Sequence, residues 1–199
     1  MKYIKKIIIT IIVLVLAFVY AHIAKANDVY DRNIDNNQYQ STGLVQNGTI
    51  EQSFVSVEDT LDGVSVKTQT IGDVTDIVVK YTLEEVDSGK IVAEGNVDAK
   101  DIKNGKFQKY SFDTVEKCKG KSYRIIFEIS NTTENNGVGF YFEPQVEKST
   151  IFTVAGNNTQ GTLILKTITN RFDFETFAVL LIFVVYIVLF MKFLYKLFK

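Results

Sequence analysis

Two apolar blocks frame a middle that alternates. The first runs without interruption from Ile7 to Tyr20, "IIITIIVLVLAFVY", behind the basic start "MKYIKK". The second, "FAVLLIFVVYIVLF", runs from Phe177 to Phe190 and continues as mixed apolar and lysine positions to the end. A spanning helix needs roughly 17–25 mostly apolar residues. The second block reaches that length with Phe193 and Leu194 included and Lys192 snorkelling to the lipid surface. The first reaches it only with 21–24 counted.

Between the blocks the pattern changes to short runs of period two, separated by turn residues, which predicts strands. The runs are 49–57, 63–71, 76–86, 91–97, 107–115, 122–130 and 138–144. In "GVSVKTQTI" Val64, Val66, Thr68 and Thr70 share a face. In "SYRIIFEIS" Tyr123, Ile125, Phe127 and Ile129 do so. The turn Asp87–Lys90 predicts a hairpin between the third and fourth runs. The connector 98–106 has room for a helical turn. From 145 to 170 the signal weakens to one or two strands around 156–158. About eight short strands and no long amphipathic helix predict a mainly β fold, a jelly-roll-like antiparallel β-sandwich flanked by N-terminal and C-terminal transmembrane helices.

The implied organisation is an N-terminal membrane anchor or signal peptide at 1–26, a polar linker at 27–43, a β-sandwich at 44–173, and a C-terminal transmembrane helix with a basic tail at 174–199. Ala24 and Ala26 form an A-x-A pattern, so cleavage before Asn27 and retention as an anchor are both open. Lys2, Lys5 and Lys6 precede the first block, while Lys192, Lys196 and Lys199 lie in or after the end of the second. The positive-inside rule then places both tails in the cytoplasm, if the first segment is uncleaved, and 27–173 outside the cell membrane.

Charge sharpens this division. Residues 27–173 carry 15 Lys and Arg against 22 Asp and Glu, a net of −7 that the whole-chain value of −1 conceals. An acidic domain argues against a nucleic-acid partner. One cysteine allows no internal disulfide, and few Cys, no Trp and many Lys, Ile and Asn fit an AT-rich bacterial source.

Particular motifs of the middle segment resemble an exterior jelly-roll, carbohydrate-binding-like β-sandwich module of Gram-positive membrane proteins associated with surface-polysaccharide glycosyltransferases. They are Gln52-Ser53-Phe54, the run Leu61 to Val66 with Gly63 at its third position, and Tyr110-Ser111-Phe112 through Val115 to Gly120-Lys121-Ser122-Tyr123. The similarity covers roughly 44–144. It implies a non-catalytic accessory in cell-envelope polysaccharide assembly, binding a glycan, a lipid-linked saccharide or a partner membrane glycosyltransferase. With no catalytic transmembrane bundle, no transferase activity carries over. The alternative is a structural or scaffolding membrane protein whose sandwich binds another protein and no sugar.

Candidate chemistry is sparse. The single histidine, His22, borders the first apolar block, far in sequence from Cys118, so no Cys-His or Ser-His-Asp arrangement is expected. The same shortage of ligands predicts no His- or Cys-based metal site, and no motif calls for a cofactor; a structural calcium stays open. Asp28, Asp31 and Asp35 do not follow an EF-hand spacing and read as solvated linker. Cys118 sits among Lys117, Lys119 and Lys121, an arrangement able to lower a thiol pKa, but no base or redox partner accompanies it. It reads as a turn residue. Sugar recognition favours displayed aromatic rings flanked by amides, and Tyr81, Asn96 and Tyr110 are the candidate ligand-binding residues, with Tyr141 also open to display. Each tyrosine has buried packing as its rival. Sequons begin at Asn47, Asn131 and Asn157, and matter only in a eukaryotic secretory pathway.

Overall fold

The computed structural model describes residues 2–46 and 48–198; Asn47 and its sequon lie outside the described residues. Two compact units are present, one of 26–169 and one combining 1–25 with 170–199. The larger unit is mainly β and consists of two antiparallel sheets in a sandwich-like arrangement.

The strands in chain order are β1 (His22–Asp28), β2 (Gln40–Ser41), β3 (Thr49–Val55), β4 (Thr60–Ile71), β5 (Val78–Glu85), β6 (Lys90–Asp98), β7 (Phe107–Glu116), β8 (Ser122–Ser130), β9 (Gly137–Glu143), β10 (Phe152–Val154), β11 (Asn157–Thr159), β12 (Thr162–Leu163) and β13 (Leu165–Phe172). One sheet has the order β1-β13-β4-β9-β12, with β2 added to β9 and β7 to β4. The other has the order β11-β10-β3-β8-β5-β6.

The alternation read from the sequence is the alternation that is buried. β8 turns Tyr123, Ile125, Phe127 and Ile129 inward, and β4 does the same with Val64 and Val66. The two inner faces meet in an aromatic seam: Phe127 of β8 lies 4.9 Å from Tyr110 of β7 and 4.7 Å from Phe140 of β9, centroid to centroid. Gln52, between Ile50 and Phe54 on β3, also points inward and is fully buried. Its Oε1 accepts a hydrogen bond of 2.8 Å from the Leu163 N–H, and its Nε2 donates to the Ser53 carbonyl at 2.9 Å. A buried amide is tolerated when its groups are paired in this way, and here it ties one sheet to the other.

Gly63 marks a bulge at which β4 shifts register against β7. A Cβ there would stand 2.7 Å from the Tyr110 carbonyl oxygen, too close for any larger residue without backbone movement. The β5–β6 hairpin turns at Gly89, with φ +65° and its N–H donating to the Glu85 carbonyl at 2.9 Å. The connector after β6 holds the expected short helical turn, Ala99–Asp101.

Of the stretch 27–43, read from its composition as a solvated linker, 31–41 is mostly exposed while the two ends pair into the sheet. β1 lies beside β13, the Val29 N–H donates to the Leu165 carbonyl at 2.9 Å, and Tyr30 is buried. Asp28 is ion-paired with Lys166 at 2.9 Å. Asp31 and Asp35 each accept the N–H two residues on, from Asn33 and Asn37. Their carboxylates thus satisfy local turn backbone, which is why a segment so polar still adopts one path.

In the smaller unit, α1 (Lys2–Tyr20) and α2 (Phe174–Leu197) are the apolar blocks. α2 is long and apolar enough to cross a membrane; the apolar part of α1, Ile7–Tyr20, is shorter. Asp173 caps α2, accepting from the N–H groups of Glu175 and Thr176 at 3.0 and 3.3 Å, a side-chain cap for otherwise unpaired helix donors. His22 belongs to this unit as well, its Nδ1 2.8 Å from the Phe18 carbonyl oxygen.

Candidate functional site

The three residues singled out as ligand contacts do not converge. Tyr110 is fully buried in the seam and Tyr81 nearly so, their rings 5.3 Å apart in a T-shaped contact. The Tyr81 hydroxyl donates to the Ser111 carbonyl, and its ring covers Gly95. Burial pushes both phenols above their ordinary pKa. Asn96 faces the other way. It is exposed on the outer surface of β6, in a shallow groove with Lys80, Glu94 and Ser130. The inner phase of β5, with Val79, Tyr81 and Leu83 all buried, leaves Tyr81 no route to a ligand.

Cys118 does occupy a turn, yet its side chain joins the core and is 0% exposed. Its Sγ donates to the Val115 carbonyl at 3.0 Å. Burial pushes the thiol pKa up, and the nearby Lys121 only partly opposes it. That lysine is engaged elsewhere, 2.6 Å from Glu85 Oε1.

Displayed aromatics do exist, on the outer face of the sheet containing β4, β7 and β9. Ser41 stands opposite Tyr141, Lys67 opposite Phe107, and Ser65 opposite both Lys109 and Lys166. Tyr141 is half-buried, out of phase with the inward Phe140 and Phe142. Tyr39, from the turn before β2, is brought over the same face. The Lys67 ammonium sits 4.8 Å from the Tyr39 ring centre and 5.4 Å from that of Tyr141. Lys166 lies 4.8 Å from Phe107 and 5.8 Å from Tyr30. Tyr30 stacks on Phe107 with centroids 6.4 Å apart and meets Tyr39 edge-on at the same distance. Beside the rings the Ser41 hydroxyl donates to Gln69 Oε1 at 2.5 Å. The face therefore offers aromatic surface, a hydroxyl, an amide and ammonium groups together.

Glu143 anchors one end of this arrangement. It is 0% exposed, and its Oε1 accepts from the Asp31 N–H at 2.9 Å, while Oε2 has no hydrogen-bond partner among the described residues. Burial raises its pKa above 4.5, the Asp31 N–H opposes that, and repulsion from Glu147 and Asp31 adds to it. The folded protein thus holds this proton to higher pH than the unfolded chain does, so stability falls as pH rises from the unfolded toward the folded value. Glu143→Gln keeps an acceptor for Asp31 and removes the buried charge. It is expected to raise stability at pH 7.5 by about 1 kcal/mol, with the gain vanishing below pH 4.5. Urea unfolding of the two proteins at both pH values checks this; an equal offset at both would show that charge is not the cause.

Among the described residues, no group of three or more His, Cys, Asp or Glu side chains gathers as a metal would require. Neither a protein-family model nor any curated protein matches the sequence.

The useful sequence signal was phase. Tyr141, Lys67 and Phe107 are the strand residues that fall off the core phase of their own runs, which places them outside. Tyr30 and Tyr39 had no such signal, since they come from a stretch without periodicity.

Proposed function

We propose that this chain is a non-catalytic, membrane-anchored accessory whose β-sandwich binds a glycan at the outer face carrying Tyr39, Lys67 and Tyr141, in the service of cell-envelope polysaccharide assembly. The observation that carries the reading is that face. Elsewhere within 26–169 the strand aromatics are buried in the core or half-buried against it, while here rings stay partly open beside polar groups. Saccharide rings present apolar C–H faces framed by hydroxyls, and specific small-ligand sites combine apolar surface with a few placed polar groups.

Strand order supports a jelly roll. Taken as eight strands, β2-β9-β4-β7 face β3-β8-β5-β6, the arrangement of two interleaved Greek keys. The resemblance of 44–144 to carbohydrate-binding-like modules points the same way. In the proposed topology α2 holds the sandwich at the outer surface, with 27–173 exterior and the lysine-rich tails inside. Cleavage before Asn27 would sever β1, whose Asp28 is ion-paired with Lys166; this favours retention of the N-terminal segment as an anchor.

The test is titration of the full chain, in mild detergent, against a panel of envelope glycans. Tyr141→Ala is expected to weaken binding by at least about tenfold, as for a central aromatic contact, with the unfolding midpoint little changed. Absence of binding to every glycan, together with no co-purifying glycosyltransferase, would overturn the reading. A scaffold role toward another protein is favoured by one observation, the exposed Val86 and Ile91 flanking the β5–β6 turn. Loss of a co-purifying protein on Ile91→Asp, with glycans inert, would establish that role instead.

A further inference from the structure

Lys67 is a half-buried cation on the outer face of β4. Among the described residues no carboxylate comes within ion-pair distance of it, whereas Lys166 reaches Asp28 at 2.9 Å, Lys121 reaches Glu85 at 2.6 Å, and Arg124 reaches Glu84 at 2.8 Å. Exposed lysines without an ion pair are simply hydrated, but the other half-buried cations of 27–173, Arg124 and Lys166, are both paired, and Lys67 differs from them in a segment with seven more acidic than basic residues. The ammonium is instead held against the rings of Tyr39 and Tyr141, at 4.8 and 5.4 Å. Aromatic faces attract a cation but leave its charge uncompensated. Two rings also fix its position and remove part of its water, which strengthens its pull on an arriving anion. Lys109 is exposed on the same face, opposite Ser65, and adds positive field. Glu143 lies beneath this face, fully buried with its Oε1 bonded to the Asp31 N–H, and its charge, felt at Tyr39, opposes that field in part.

We propose that the ligand of this face is an acidic saccharide, whose phosphate or carboxylate group ion-pairs with Lys67 while its sugar ring lies against the open parts of Tyr39 and Tyr141. Ser41 holds Gln69 in place through its hydroxyl, leaving the Gln69 side-chain NH2 to meet the ligand's hydroxyls. The inference rests on the glycan-binding reading above and adds the charge of the ligand to it.

The experiment uses the full chain in nanodiscs of zwitterionic lipid, titrated with three probes of matched length: oligogalacturonate, oligomeric glycerol phosphate and neutral dextran. At least one acidic probe is expected to bind tenfold or more tighter than dextran, and to weaken as salt is raised. Lys67→Gln should erase that preference, Lys67→Arg should keep most of it, and Lys90→Gln, a distant surface charge, should leave it unchanged. Which acidic probe binds distinguishes phosphate from carboxylate as the source of the anion. If dextran binds as tightly as both acidic probes in a Tyr141-dependent way, or if Lys67→Gln retains the preference, the charge inference is wrong and the glycan site stands. If none of the three binds and the glycan panel is also inert, the glycan reading itself falls and the inference falls with it.

Discussion

Phe127→Ala is expected to lower the stability of the sandwich by about 3–5 kcal/mol, the range for removing a large aromatic from a packed core. Phe127 is 0% exposed at the middle of β8. It stands opposite Ile50 on one side and Tyr81 on the other within its own sheet. Across the interior its ring touches Tyr110 and Phe140, at 4.9 and 4.7 Å, on two strands of the facing sheet. No neighbour can collapse into the space, because each is fixed in a strand of its own, so the cavity term should be near its full value. The ring pairs also add something beyond area. Against a typical total of about 5–15 kcal/mol, one such loss brings a domain close to unfolding. Urea unfolding followed by tyrosine near-ultraviolet circular dichroism measures it. Phe127→Leu should recover more than half of the loss by refilling the space. A cost below about 1 kcal/mol for Phe127→Ala would mean that the two sheets are not joined through this seam.

The residues that make the seam are also those the sequence announces. Where a strand is long enough to repeat, as in Ser122–Ser130, the two-residue period separates Tyr123, Ile125, Phe127 and Ile129 from their neighbours and fixes the face without further information. Gly63 and the turn at Gly89 are similarly readable, since each meets a backbone requirement that few other residues meet. Legibility fails where order comes from contacts between distant segments. β10, β11 and β12 have three, three and two residues, too few to show any period. The stretch 27–43 is mostly polar and without a period, and its path is set by pairing of β1 with β13 and by aspartate side chains bonding their own turns. For the same reason Tyr39 was invisible as a site residue: nothing local says that a turn 28 residues before Lys67 will place a ring over its ammonium. Tyr81 and Tyr110 illustrate the opposite case. Their residue type suits sugar contact, but their position in the period already assigns them to the interior, and composition is the weaker of the two signals when they disagree.

The second large effect is expected in the other unit. Val185 and Val188 lie near the middle of α2, a helix of 24 residues with no buried residue among its own. Arginine at the centre of a spanning helix costs roughly 2.5–3.5 kcal/mol on the insertion scale, whereas each Val, Leu, Ile or Phe returns only about 0.3–0.6. The combined change Val185→Arg and Val188→Arg therefore removes roughly 5–7 kcal/mol, enough to cancel the contribution of about eight or more apolar side chains. The proposed topology makes the outcome visible at the C-terminal tail. In intact cells a tag placed after Lys199 should be protected from external protease in the unaltered chain and cut in the double variant. This readout does not depend on whether α1 also holds the protein to the membrane, because only passage of α2 through the bilayer shields the tag. Equal protection of both forms in intact cells, with equal digestion after lysis, would mean that α2 does not need to cross for the tail to remain inside. The anchor would then have to be sought in Ile7–Tyr20, the shorter apolar helix.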